Sequence, residues 1–410
     1  MCDRMKGNLR FIKQKYYEQG NKANRMLAIR LRKHQSSNIV QKLKSDQTII
    51  SKPNEIADRF ANCYKTLCKN TQTCKDDNLF LNYLSKITFN TLPEISAKQL
   101  HQPIQEQEIS AAISSLKSNK SPGPDGFINE FYKIVLKAYH HALQTETVAP
   151  SWNYITIVVI HKEDKDPTKC QSYKPISLLN KDLRILTTII AKRVNEIITE
   201  IINPDKTGFI TGRHYGDNVW GLLKMMSSYK TKPEQAMVLS LDAQKANDQV
   251  SWQYLEHTLQ KFKLGKKFIR WIQILYSNPM AAVKVNGTMS NTFPLERGCR
   301  QRCSLSPLLF IISIELLAQL IMDKENIQGF TINREQHKHK HKTQPLLKEL
   351  IGNYGHFSGY KVNIDKTLAI DICRNISQTF KDQSGLPCTY TDSIRLKLLG
   401  EQTRSNTSEY

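Results

Sequence analysis

The chain has 410 residues, 40% of them hydrophobic, which is enough to bury a core in two or three packed lobes and excludes disorder throughout. Its 59 Lys and Arg against 37 Asp and Glu leave a net charge of +22, an excess that points to a polyanionic partner, nucleic acid before membrane. Nine cysteines without a C-x-x-C pair, and no signal-peptide pattern at the start, argue against a disulfide-stapled secreted module and for a reduced, intracellular setting.

In chain order, residues 1–70 are helix-prone and basic. The stretch "LRFIKQKYYEQGNKANRMLAIRLRKHQ" suits either cations laid along phosphates or a solvated amphipathic helix. Cys63, Cys68 and Cys74 lack zinc-like spacing and read as free thiols. Residues 92–118 read as loop then helix, with "EISAAISSL" apolar at helical spacing. "KSPGPDGFINEFYK", 120–133, is a Pro/Gly turn followed by a helix. "YITIVVIHK", 154–162, is a buried strand ending on His161 and Lys162. A long helix follows, apolar on one face, with Lys181, Arg184, Lys192 and Arg193 on the other.

The next strand, within "MVLSLDAQKANDQVSW", delivers a carboxylate, Asp242, at its tip. Helices are predicted at 251–262 and 266–277, then a hairpin turning on Asn286-Gly287. Asp248 reads as a helix N-terminal acid rather than a ligand. The longest apolar run, 305–322, opens on Ser306 and Pro307 and contains Glu315 and Gln319; it predicts a core helix, since a membrane span would bury the Glu in lipid. "IQGFTINRE" reads as a further strand. The fold class is α+β, a sheet of strands with polar tips flanked by helices.

Six segments in series, "KSPGPDGF", "YKPISLLNKDLRIL", "TGFITGRHYGDN", "LSLDAQKANDQV", "RGCRQRCSLSPLLF" and "FSGYKVNIDK", resemble the reverse transcriptase of non-LTR (LINE-type) retrotransposons. The resemblance runs from about residue 10 to the end. It implies a right-hand polymerase: a basic helical extension at 1–90, fingers over 91–200, a palm with metal-binding strand and core helix over 201–345, and a palm remnant with the start of a thumb at 346–410. The implied partners are an RNA template, a DNA primer and deoxynucleoside triphosphates, with Mg²⁺ as cofactor and no membrane. By the same resemblance Asp242 is the catalytic metal ligand and Lys366 the proton donor to the leaving pyrophosphate. Lys162, Lys174 and Arg184 hold the triphosphate, Asn247 and Gln301 lie at the nucleotide, and Gly298, Arg300 and Arg302 follow template and primer.

The chain also departs from that family. An aromatic-Ala-Asp-Asp box belongs between the R-Q-G helix and the S-G-Y-K block, yet residues 332–357 read "INREQHKHKHKTQPLLKELIGNYGHF". Asp76-Asp77 is the one Asp-Asp pair and lies far upstream; Glu335 and Glu349 stand on no predicted hairpin. Unit charges about 4 Å apart interact by roughly 4 kcal/mol in a partly exposed site, so two dications repel by about four times that. Three carboxylates normally offset the part that phosphates do not, and here one is identifiable. Asn247 stands at the aromatic gate, Arg302 at the Gly of R-Q-G, Ser304 at a common Pro, and Lys206 and Thr211 at the Gln and Pro of Q-x-G-F-I-P-G-R. "HKHKHK", 337–342, offers three histidines on one strand face, but the alternating lysines favour a solvated seam over a metal site. The chain reads as the middle of a larger polyprotein, with an incomplete palm and little or no thumb. The reading is a reverse transcriptase domain by ancestry whose catalysis is lost, and the two hypotheses set against each other are an active RNA-directed DNA polymerase and a non-catalytic basic nucleic-acid-binding remnant.

Overall fold

The structure, a computed structural model, describes residues 39–45, 48–70, 77–85, 90–115, 136–229, 237–300, 302–323, 330–332, 335–337, 344–371, 389–391, 397–398 and 401–402. β1 (Leu43–Ser45) and β2 (Thr48–Ile50) form an antiparallel pair. α1 (Pro53–Cys68) starts on a proline and buries Ile56, Ala57, Phe60, Ala61 and Tyr64 at helical spacing. Short helices follow: α2 (Asp77–Ser85), α3 (Glu94–Leu100), α4 (Glu106–Ser115) and α5 (Leu136–Thr145). β3 (Tyr154–His161) and β4 (Tyr173–Leu178) precede α6 (Lys181–Ile197) and α7 (Tyr215–Tyr229). β5 (Met237–Ser240) leads to the one-turn α8 (Ala246–Gln249), then α9 (Trp252–Lys261) and α10 (Lys266–Leu275). β6 (Met280–Val285), β7 (Thr288–Met289) and β8 (Phe293–Pro294) come before the long α11 (Ser306–Asp323). β9 (Phe330–Ile332), β10 (Glu335–His337), α12 (Gln344–Ser358), β11 (Leu368–Asp371), β12 (Thr389–Thr391), β13 (Lys397–Leu398) and β14 (Glu401–Gln402) complete the described elements.

Two compact units interleave along the chain: 1–64, 156–177 and 281–293 form the first, and 65–155, 178–280 and 294–410 the second. The first carries most of a five-stranded sheet in the order β4-β3-β6-β7, with β8 also beside β6. The β6–β7 turn has φ of 51° at Asn286 and 81° at Gly287, the two positive values a tight hairpin requires, as the Asn-Gly pair predicts. The Asn286 side chain also accepts from the Val40 amide and donates to its carbonyl.

The second unit builds its core on α2, α9, α11 and α12, where Phe80, Leu84, Tyr254, Leu316, Leu317, Leu320, Leu350, Ile351 and Tyr354 pack together. The hydroxyls of Tyr254 and Tyr354 both donate to the Ser313 carbonyl, at 2.6 and 3.1 Å. Leu241 and Val362 lie against this core, and between them the chain presents Asp242. The three-stranded sheet has the order β12-β11-β5, with β11 parallel to β12 and antiparallel to β5. Among the described residues β5 pairs on one side only.

α11 is the core helix that the apolar run predicts. Its Glu315 is fully buried, with Lys206 Nζ at 2.8 Å, the Asn203 amide at 3.3 Å and Gln319 at 3.2 Å. No helix among the described residues is long and apolar enough to cross a membrane.

Three expectations are corrected. The polar face of α6 is narrower than its charges suggest: Arg184 and Lys192 are exposed, but Lys181 and Arg193 are buried. Arg193 turns inward because partners wait there, the Glu108 carboxylate at 2.8 Å on each oxygen and the carbonyls of Leu100, Gln102 and Pro103. Residues 94–100, expected as loop, form α3; Pro93 at its N-cap and Glu94 in its first turn are start signals. Residues 344–358, for which no helix was expected, form one, while all but His337 of the seam expected at 337–342 lies outside the described residues. β9 and β10 form a short antiparallel hairpin with Glu335 opposite Ile332, and α12 follows, opened by Pro345 and apolar at Leu347, Leu350, Ile351 and Tyr354. The basic stretch at 1–38, the Pro/Gly turn at 120–133, Cys74 and the 338–342 part of the His/Lys tract lie outside the described residues.

Candidate functional site

The short apolar run Met237-Val238-Leu239 before Ser240 suits a strand, and its antiparallel register against β11 sets Leu368 opposite Ser240. The strand stops before Asp242, and the chain turns through Lys245, whose φ of 48° is left-handed. Asp242 is half-buried and its surroundings are set by the 363–367 segment. The Asn363 side-chain amide donates to Asp242 Oδ2 at 2.9 Å, and the Asn363 backbone amide to the Asp242 carbonyl at 2.8 Å. The Asp242 amide donates to Thr367 Oγ1 at 3.3 Å, and that hydroxyl donates to the Asn363 carbonyl at 2.8 Å. Next along, the Gln244 amide donates to the Lys361 carbonyl, and Ala243 bridges Val362. Burial, then the negative charge of Asp242, push the Tyr360 phenol up.

The 247–251 turn is gripped from two sides. The amides of Gly298 and Cys299 donate to the carbonyls of Val250 and Asn247, and the Ser251 amide to the Ser358 carbonyl. Glycine makes this approach possible: a Cβ on Gly298 would stand 2.7 Å from the Asp248 carbonyl oxygen, and one on Gly359 would collide with that of Gln249. Gly355 backs the same region, with a Cβ position 2.5 Å from the Tyr360 carbonyl oxygen. Asp248 lies in the first turn of α8, the place read for it from sequence.

Lys366 is exposed on the 3₁₀ turn Ile364–Lys366, whose backbone folds back on Asn363 carrying the lysine with it. Asn247 and Arg302 are exposed, and Gln301 lies outside the described residues. Gly298 and Arg300, expected along template and primer, are buried instead. Arg300 donates to the Trp152 carbonyl at 3.1 Å and lies over the Tyr276 ring at 5.5 Å. Among the described residues its Nε and Nη2 find no partner, and burial lowers its pKa. Arg184 is exposed in the second unit; Lys162 and Lys174 belong to the first. The Lys162 ammonium donates to the Gln171 carbonyl at 2.7 Å, while Lys174 is exposed.

A family model described as reverse transcriptase (RNA-dependent DNA polymerase) matches residues 160–371, just over half of the chain and a span that holds both Asp242 and Lys366. The chain belongs to the reverse transcriptase family. It is 29% identical over 280 residues to the transposon TX1 uncharacterized 149 kDa protein of Xenopus laevis, covering 66% of this chain and 21% of that protein. It is 28% identical over 221 residues to a probable RNA-directed DNA polymerase from transposon BS of Drosophila melanogaster (52% and 24%). It is 26% identical over 231 residues to the Pol polyprotein of retrotransposable element R2DM of the same fly (55% and 21%). These relatives are of the non-LTR, LINE type, and this chain spans about a fifth to a quarter of their length.

Reverse transcriptases as a family take Mg²⁺. The described residues do not fit a pair of such ions. Two dications in one site call for several oxygen ligands, whereas the Asn363 amide already holds one oxygen of Asp242. Among the described residues no group of three His, Cys, Asp or Glu side chains could hold a metal.

Proposed function

We propose that this reverse transcriptase domain binds an RNA template paired to a DNA primer and does not add nucleotides to it. The observation that carries the reading is the Asn363 amide on the Asp242 carboxylate, at a site where the described residues offer no group of three His, Cys, Asp or Glu side chains for a metal. By the resemblance, fingers over 91–200 and palm over 201–345 each contribute contacts to the nucleic acid. Within the second unit the exposed Arg184 and Arg302 are the proposed phosphate contacts; within the first they are Lys174, which is exposed, and Lys162, whose ammonium is anchored on a backbone carbonyl. Asn247 and Gln301 lie by the base pair that an incoming deoxynucleotide would form, and Lys366 by its pyrophosphate. The net charge of +22 supports a polyanionic partner.

Primer extension tests the reading directly. Purified protein on poly(rA)/oligo(dT), with Mg²⁺ and then with Mn²⁺, is expected to leave the primer unextended. Extension that disappears in Asp242→Asn would establish an active polymerase.

A further inference from the structure

We infer that Asp242 serves in this chain as a structural strap, tied by Asn363 and Thr367, rather than as a cation ligand. The inference deepens the reading that nucleotide addition is lost. Its basis is the number of separate ways in which one residue is held. The Asp242 amide, carbonyl and carboxylate each hydrogen-bond to Asn363 or Thr367. Thr367 is almost fully buried, so its hydroxyl has no access to water and bridges the Asp242 amide to the Asn363 carbonyl. Asn363 is the hub: its side chain takes the carboxylate, its backbone amide takes the carbonyl, and its own carbonyl accepts from Thr367 and Lys366.

The arrangement has a mechanical purpose. Below Asp242, β5 and β11 are joined by their ladder; beyond it the ladder gives way to the single Ala243–Val362 bridge and the Gln244–Lys361 bond. The strap lies between these two connections and closes the gap. A carboxylate that accepts from an amide donor keeps this function without a cation. An Asn side chain at 242 also offers an acceptor oxygen at the same place, and an Ala does not.

Amide hydrogen exchange of the full chain, read over 237–244 and 361–371, tests the strap. Asp242→Ala and Asn363→Ala should each speed exchange in both segments by about tenfold or more, the factor that about 1.4 kcal/mol of lost local stability produces. Asp242→Asn should stay close to the natural chain, and Thr367→Ser should hold where Thr367→Val does not. Mn²⁺ binding, followed by the free-ion electron paramagnetic resonance signal, should be the same for the natural chain and Asp242→Asn. Natural exchange rates in Asp242→Ala would overturn the strap, and so would Mn²⁺ binding that Asp242→Asn removes. The underlying reading fails on a different result, primer extension by the natural chain that Asp242→Asn abolishes.

Discussion

Arg302 occupies a backbone position made for a smaller residue. Its φ of 61° lies in the left-handed region, where a side chain costs about 1–2 kcal/mol. The resemblance puts a glycine there, and the structure gives the steric reason. Arg302→Gly should stabilise the chain by about 0.5–1 kcal/mol, the unfolded-state entropy of glycine offsetting the rest. A rise in the urea midpoint would show it. Lys206 departs from the family pattern as well, yet it has a partner, the fully buried Glu315 at 2.8 Å. Burial lowers the Lys206 pKa, and the Glu315 charge opposes that shift. Lys206→Met would leave the carboxylate buried and uncompensated and should cost about 3–5 kcal/mol; adding Glu315→Leu should recover most of it. Thermal unfolding of the single and double variants separates these outcomes.

At the scale of elements, the Arg193–Glu108 pair joins α6 to α4 and to the turn between α3 and α4. Burial raises the Glu108 pKa, but the Arg193 hydrogen bonds and the Gln105 amide outweigh it, so the net shift is downward. A carboxylate with a lowered folded pKa contributes stability above its unfolded value of about 4.3, and that contribution is lost as pH falls through the folded value. Arg193→Met should therefore cost about 3 kcal/mol or more at neutral pH, with the gap to the natural chain narrowing below about pH 4. Denaturant midpoints at the two pH values measure the difference. That inward turn was not legible in the sequence: a cation on an amphipathic helix reads as solvated unless its distant partners are known, and Glu108 is remote in sequence. β3, α9, α10, α11 and the Asn286-Gly287 hairpin were legible because periodicity and turn chemistry are local. α12 carried the same signals but was obscured by the charged tract before it. At the site, Asp242 was visible as a strand-tip acid. Asn363 and Thr367 were not, because what they do depends on a strand pairing more than 120 residues away.

For the whole molecule, the proposed binding rests on the net charge of +22. Affinity for an RNA/DNA hybrid should fall steeply and log-linearly with salt, by about 10³-fold or more between 50 and 200 mM if six or more phosphates are contacted. Fluorescence anisotropy across a salt series measures the slope, and salt-insensitive or absent binding would remove the proposed function. Gly298 and Gly359, which grip the 247–251 turn, and Gly355, set against the Tyr360 carbonyl, carry a consequence for the history of such elements. At positions 298, 355 and 359 every other amino acid meets a carbonyl oxygen at collision distance, whether or not the product copies anything. Sister copies that are still translated and must fold should hold these three codons while charged positions around them drift. Copies that have fallen silent should lose them at the same rate as any other codon.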